Sequence, residues 1–137
     1  MQFNINVLDS NRLELRAFAE AQLIFDKPST RRGRTLQEVR EACLTGHAAE
    51  LYLIDHCGFI DDSRPYKDVF DTLNNPVEVK VTKDVNNVYH VLRRANQTAC
   101  ELYKQHPNIL YIFVVNEYND YKLHGIYNWN GKEFVND

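Results

Sequence analysis

The sequence has few cysteines, and they form no recognisable framework. There are three cysteines, Cys43, Cys57 and Cys100. Their number is odd, they are widely spaced, and no two of them form a C-x-x-C motif. A disulfide scaffold needs an even set, and a structural zinc site needs ligands in closely spaced pairs. We therefore expect neither, and we expect the three cysteines to be buried thiols.

Long apolar runs are also absent. No stretch of the 137 residues reaches the length of a membrane-spanning helix, and the N-terminal residues lack the basic and apolar regions of a signal peptide. We expect a cytoplasmic protein with no membrane partner. The length suits a single domain, and 44% hydrophobic with 26% charged residues is typical of a globular protein.

The sequence also lacks an excess of positive charge. Sixteen basic and nineteen acidic residues give a net charge of −3. This balance argues against a protein that coats nucleic acid through bulk charge. It does not exclude a local phosphate-binding site, because metal ions can neutralise clustered carboxylates and the placement of the basic residues decides phosphate binding.

Two amphipathic helices are predicted in the N-terminal half. A short alternating strand at residues 1–7 precedes the first helix, which is expected from about Asn11 to Phe25. The second helix is expected from Leu36 to His56, because Thr35-x-x-Glu38 is a capping box and Gly58 is a natural stop.

The stretch from Asp68 to Thr82 predicts a β-hairpin. Residues 68–73 are rich in strand formers, Asn74-Asn75-Pro76 predicts the turn, and residues 77–82 alternate between apolar and polar. Period two places the valines on one face of the second strand and Glu78, Lys80 and Thr82 on the other. Glu78 and Lys80 are thus expected to share a face at roughly 7 Å.

Charged side chains on a half-buried strand need partners, because burying an unpaired charge is costly. A divalent metal is one such partner, since Mg²⁺ binds one or two carboxylates together with water and substrate phosphates. A nearby ammonium can orient the attacking water. The alternative is a solvated edge strand, since Glu and Lys are common and an isolated E-x-K arises readily by chance.

The arrangement of Asp68 on one strand and Glu78-Val79-Lys80 on the next resembles the core motif of the PD-(D/E)XK nuclease superfamily. Upstream, the segment Gly46-His47-Ala48-Ala49-Glu50 looks like the helix that supplies the additional acidic residue of that family. The resemblance covers about residues 35–117, with the N-terminal helix and the C-terminal hairpin as additions. It departs at Lys67, which stands where the family has Pro, and Asp71 competes with Asp68 as first metal ligand.

The resemblance implies an α/β domain with a mixed central sheet flanked by helices, of the restriction-endonuclease-like kind. It also implies a small Mg²⁺-dependent endonuclease, with Mn²⁺ as a substitute, that hydrolyses DNA phosphodiesters in repair, recombination or restriction. Asp68, Glu78 and the Val79 carbonyl would hold the metal. Lys80 would orient or deprotonate the attacking water, and Glu50 would support the metal or its water. Symmetric substrates would imply a homodimer.

The sequence after the hairpin predicts a parallel strand pair. A helix is expected at about residues 84–105, followed by a buried strand at 109–115 that lies parallel to the E-x-K strand. The aromatic tail at residues 118–135 predicts one or two further strands, although its aromatic side chains could instead stack on bases or complete a dimer interface.

Three further features leave alternatives open. Arg31, Arg32 and Arg34 lie in a loop that is either a solvated connector or a phosphate-binding arm, and with Lys83 they are the candidate DNA contacts. Glu50 is either a site residue or an ordinary exposed helix residue, and a zinc site drawn on His47, Glu50 and the following His56-Cys57 lacks a second cluster of ligands. The whole domain could also be a non-catalytic binding module that retains the fold.

Overall fold

The computed structural model describes residues 1–61, 69–83, 110–129 and 134–136. Asp68, Cys100 and the helix expected at residues 84–105 lie outside the described residues. None of the described helices combines the length and the apolar character that crossing a membrane requires.

The described chain is a mixed α/β fold with one mixed six-stranded sheet. The strands are β1 (Gln2–Asn4), β2 (Val69–Phe70), β3 (Pro76–Thr82), β4 (Leu110–Glu117), β5 (Asp120–Trp129) and β6 (Phe134–Asn136). The helices are α1 (Ser10–Asp26), α2 (Pro28–Arg31) and α3 (Leu36–Cys57). The sheet order is β1-β5-β4-β3-β2, with β6 paired to β5. Strands β3 and β4 are parallel, as predicted, and the other named pairs are antiparallel.

Local capping sets the ends of the two long helices. The Asp9 side chain accepts from the backbone N–H groups of Asn11 and Arg12, so α1 begins at Ser10, one residue before the predicted start. The capping box of Thr35 and Glu38 is present at α3, and Gly58 ends that helix with φ 73°. Cys57 is exposed there, so the expectation that all cysteines are buried is wrong for this residue, whereas Cys43 is buried.

The predicted strand at residues 1–7 is shorter than expected. The Asn4 side chain accepts from the Asn6 N–H and turns the chain into a 3-10 turn at Ile5–Val7. The remaining strand, β1, pairs with β5 near the other end of the chain, with Phe3 opposite Tyr121. This pairing is long-range and no local pattern indicated it.

The β2–β3 hairpin is confirmed, but its turn is wider than predicted. The Asp71 side chain accepts from the Leu73 and Asn75 N–H groups at 2.9 and 2.8 Å. This Asx-type turn stops β2 at Phe70, so the strand predicted through residue 73 is wrong in its second half. Pro76 belongs to β3 rather than to the turn and lies opposite Phe70.

The main core lies between α3 and one face of the sheet. The valines of β3 point into it, as their alternation predicts, and α3 contributes fully buried alanines that allow close approach of the helix. Its buried members include Phe3, Leu13, Ala48, Ala49, Leu51, Val77, Val79, Ile112, Val114 and Tyr121. A smaller cluster of Ala17, Ala21, Val39 and Cys43 joins α1 to α3. This packing fixes the position of α3 relative to β3, the two elements that carry the site.

Candidate active site

Glu78 and Lys80 form an ion pair on the face of β3 opposite the valines. Lys80 Nζ lies 3.4 Å from Glu78 Oε2. The Glu78 residue is only 9% exposed, whereas about a third of the Lys80 side chain is exposed. A buried carboxylate therefore meets an ammonium that still reaches solvent, which does not fit the alternative of a fully solvated edge strand.

The register of the β2–β3 hairpin bears on the choice of Asp68 as a metal ligand. Val69 lies opposite Val77, and Asp68 and Glu78 are the chain neighbours of these two residues. Asp68 itself lies outside the described residues, so its side chain is not placed. The competing residue Asp71 is described, and both of its carboxylate oxygens accept hydrogen bonds within the turn. Its turn role leaves Asp68 as the better candidate ligand.

Glu50 is buried on α3, with 8% of the residue exposed. The reading of Glu50 as an ordinary exposed helix residue is therefore wrong. The neighbouring Ala48 and Ala49 are fully buried against the core. Gly46 does not share this packing role, because a Cβ added there would meet no heavy atom within 4 Å.

His47 links Glu50 to α1. Its Nδ1 forms an ion pair with Glu50 Oε2 at 3.0 Å, and its Nε2 contacts the Glu20 carboxylate. Burial by itself lowers the pKa of His47, but hydrogen bonding and Coulomb attraction from Glu20 and Glu50 outweigh it and raise the pKa to about 9. The same hydrogen bond lowers the pKa of Glu20. At neutral pH an imidazolium therefore lies between two carboxylates.

These groups surround a cavity of about 270 Å³ between α1, α3 and β3, which we call the charged cavity. Its described polar lining comprises Glu20, Arg34, His47, Glu50 and Lys80, and Gly46 opens toward it. Lys80 thus contacts Glu78 and also lines the cavity that contains Glu50. The structure brings together two of the predicted catalytic residues and connects the third through Lys80.

The donor chemistry of the site suits a hard divalent cation. Glu50 and Glu78 supply carboxylate oxygens, and Mg²⁺ binds through one or two carboxylates while it retains water. Among the described residues no group of three or more His, Cys, Asp or Glu side chains gathers where a metal could sit. The zinc site drawn on His47, Glu50, His56 and Cys57 is not formed, because His56 stacks on Tyr52 and Cys57 is exposed.

The predicted basic loop is an ordered turn rather than an extended arm. It contains the short helix α2, and the Arg34 side chain folds back to donate to the carbonyls of Arg31 and Thr30. Arg31 lies over the Phe25 ring at 5.0 Å, while Arg32 is exposed with φ 53°. Of these arginines, Arg34 is the one among the described lining of the charged cavity. The fourth candidate, Lys83, is exposed just after β3.

Sequence reasoning missed the roles of Glu20 and His47. The i,i+3 spacing of His47 and Glu50 could have indicated a pair on one helix face. Glu20 lies 27 residues away from His47, and only the packing of α1 on α3 brings it there. Comparison of the chain with family models, curated proteins and solved structures finds no match. The function is therefore argued from the geometry of this site.

Proposed function

We propose that this protein is a metal-dependent DNA nuclease of the PD-(D/E)XK type. The observation that carries the proposal is the Glu78–Lys80 pair, whose ammonium also lines the cavity that contains the buried Glu50. A carboxylate and a lysine held two residues apart on a strand, beside a second buried carboxylate, combine the charges that phosphodiester hydrolysis uses.

The metal would be held by Glu78, the Val79 carbonyl and Asp68, with Glu50 in support. When bound, Mg²⁺ would polarise the scissile phosphate and make a coordinated water more acidic. A cation lies beside each of the two described carboxylates, Lys80 beside Glu78 and His47 beside Glu50.

Lys80 would orient the attacking water and stabilise the charge that develops on the phosphoryl oxygens. Its ammonium is paired with the Glu78 carboxylate, and the Lys80 side chain is partly exposed and lines the charged cavity. A preorganised cation in a partly dry site contributes more to the transition state than the same cation in water. Arg34 in the lining adds a second positive charge against which a phosphate could dock.

DNA is the proposed substrate, and a second copy of the chain is the proposed partner where both strands of a symmetric substrate are cut. The net charge of −3 means that binding depends on the local cations rather than on the whole surface. We propose cleavage that depends on the structure of the DNA rather than on a long base sequence.

The test is a cleavage assay on supercoiled plasmid, linear duplex, single strand, flap and four-way junction, with Mg²⁺, with Mn²⁺ and with chelator. Lys80→Ala and Asp68→Asn are compared with wild type, and Lys122→Ala, an exposed lysine of β5, is the matched control. We expect metal-dependent cleavage that Lys80→Ala lowers by about 100-fold or more and that the control retains. Cleavage that survives both site substitutions, or no cleavage of any substrate, contradicts the proposal.

A non-catalytic binding module is the second candidate. It is favoured by the observation that His47 is ion-paired with both Glu20 and Glu50 and that Glu78 is paired with Lys80, so that the charges could serve packing alone. Binding of DNA without cleavage, unchanged by Glu78→Gln, would favour this candidate.

A further inference from the structure

A second and larger cavity lies at the opposite side of α3. It measures about 660 Å³ and its described lining includes Leu44 and Thr45 of α3, Lys83 after β3, and the β4–β5 turn. We call it the turn cavity. At about 100° per residue, Thr45 points away from the side of α3 that carries His47 and Glu50, and the two described linings share no residue. The turn cavity is therefore separate from the charged cavity, although one helix lines both.

The turn cavity lies at the carboxyl ends of the two parallel strands. Lys83 follows the end of β3, and Asn116 and Glu117 are the last residues of β4. In open α/β sheets, ligands bind preferentially in the crevice beyond the carboxyl ends of parallel strands. The volume is also in the range of small-molecule sites.

Asn116 is a buried polar side chain with an unsatisfied hydrogen-bonding atom. The residue is 7% exposed and lines the turn cavity. Within the described part of the chain its Oδ1 has no hydrogen-bond partner. Buried amides are normally satisfied, and an exception calls for an explanation. Oδ1 itself is shielded from solvent in this conformation, so a ligand in the cavity reaches it only after the amide rotates about χ2.

Tyr118 at the rim of the cavity is exposed and strained. It is 98% exposed, and its φ of 51° lies in the left-handed region, where bulky residues are rare. Gly or Asn would adopt this turn position more easily. A large ring held in water on an unfavourable backbone gains nothing for the fold, and such outliers cluster at functional sites.

The chemistry of the lining selects the ligand. Ile5, Leu44 and the buried Tyr121 provide apolar walls, Asn116 provides an amide, and Tyr118 provides an exposed aromatic face. The charged lining consists of one cation, Lys83, and two carboxylates, Glu41 and Glu117. Carboxylates accept hydrogen bonds from the amino groups of base edges. Flat, apolar faces with hydrogen-bonding edges and an adjacent negative charge are the properties of a nucleobase with its phosphate. Aromatic side chains stack on any base, and Asn amides pair with base edges.

We propose that the turn cavity binds an unpaired base of the DNA strand that is cut at the Glu78–Lys80 site. Asn116 hydrogen bonds to the base edge, Tyr118 stacks on the base, and Lys83 contacts the adjoining phosphate. Lys83 is three residues beyond Lys80, or about 10 Å along an extended strand. At about 3.4 Å per nucleotide of one strand, this is a separation of a few nucleotides. The inference rests on the proposed nuclease function and specifies its substrate class as DNA with an unpaired nucleotide.

The test measures binding in the Glu78→Gln background, which holds DNA without cutting it. Fluorescence anisotropy compares a fully paired duplex with the same duplex carrying one unpaired nucleotide and with a single strand. We expect the unpaired nucleotide to tighten binding, and Tyr118→Gly or Asn116→Leu to weaken it by roughly tenfold on unpaired DNA alone. Tyr118→Phe, which keeps the ring, should bind as the parent does.

Asn74→Gly is the matched control, because Asn74 also has a left-handed φ, of 64°, and is not among the described lining of the turn cavity. Both glycine substitutions relieve the backbone, but only Tyr118→Gly removes the ring. Equal losses on paired and unpaired DNA, equal losses in both glycine variants, or no loss at all would overturn the base site. A free deoxynucleoside monophosphate that displaces the oligonucleotide at the same concentration would overturn a DNA strand as the source. Metal-dependent cleavage that Lys80→Ala abolishes would still support the nuclease in each of these cases.

Discussion

The two cavities that flank α3 differ in how their charges are balanced, although each contains a buried atom without a hydrogen-bond partner among the described residues, His47 Nδ1 and Asn116 Oδ1. In the charged cavity, the imidazolium of His47 lies between the carboxylates of Glu20 and Glu50, and Lys80 is paired with Glu78. In the turn cavity, the buried amide of Asn116 lacks a partner among the described residues, and Tyr118 extends into solvent.

This difference indicates that the groups of the charged cavity are preorganised, whereas those of the turn cavity gain contacts only when a ligand binds. Groups that already balance one another's charge are held in place before a ligand arrives, which is what a catalytic site needs. Groups left incomplete gain their hydrogen bonds and their burial only when something binds, which favours recognition. We therefore propose that the charged cavity carries out the chemistry and that the turn cavity selects the substrate.

The strongest way to break the charged cavity is to remove its central cation. His47→Leu leaves Glu20 and Glu50 without the imidazolium, and breaking a buried ion pair by removing one partner is strongly destabilising. Because about half of the Glu20 side chain is exposed, we expect a loss of about 2–3 kcal/mol, below the range for fully buried pairs. Urea denaturation measures it. His124→Leu, at an exposed position of β5, should change stability by less than about 0.5 kcal/mol. Equal effects in both variants would contradict the role of His47.

The pH dependence of stability tests the same ion pairs without changing the sequence. The folded pKa of His47 is about 9, above the value of about 6.5 expected in the unfolded chain. Between these pH values the folded state binds more protons, so stability is full below pH 6.5 and falls as the pH rises through 9. With allowance for solvent screening, we expect a loss of about 1–2 kcal/mol.

Chemical denaturation at pH 6.5 and at pH 9.5 measures this loss, and His47→Gln is the control. Glutamine cannot titrate, so it should flatten the pH dependence across this window. A wild-type protein that is equally stable at both pH values, or a variant with the wild-type slope, would show that His47 does not carry the charge assigned to it.

The smallest expected change in stability is that of a substitution at Gly46, which lines the charged cavity. A Cβ there meets no atom within 4 Å, so Gly46→Ala should stabilise α3 by about 0.5–1 kcal/mol. Gly58→Ala is the contrasting variant, because Gly58 has φ 73° and alanine is strained there, with an expected loss of about 1 kcal/mol. Thermal unfolding distinguishes the two signs. Destabilisation by Gly46→Ala would mean that the charged cavity is filled rather than open.

Much of the fold could be predicted because it depends on local chemistry. The capping box at Thr35, the stop at Gly58, the alternation of residues 77–82 and the apolar run in β4 each act over a few residues. Two features could not be predicted in this way. The β1–β5 pairing joins residues more than a hundred positions apart, and the short β2 results from side-chain hydrogen bonds of Asp71 that compete with the strand ladder.

For the candidate site, too, the features that depend on local sequence could be predicted and those that depend on tertiary packing could not. Strand alternation places Glu78 and Lys80 on one face, and the structure confirms their pairing. The burial of Glu50 and the contact of Glu20 with His47 depend on how α1 and α3 pack, which sequence periodicity does not specify. Asp68 as metal ligand, and the activity itself, stay predictions.

The most direct measurement is the single-turnover cleavage rate as a function of protein concentration, on a duplex with one unpaired nucleotide and Mg²⁺. We predict that Lys80→Ala lowers the maximal rate by about 100-fold and leaves the half-saturating concentration unchanged. Tyr118→Gly should raise the half-saturating concentration roughly tenfold and leave the maximal rate unchanged. If both variants change the same parameter, or neither changes any, the division between a catalytic and a recognition cavity is wrong.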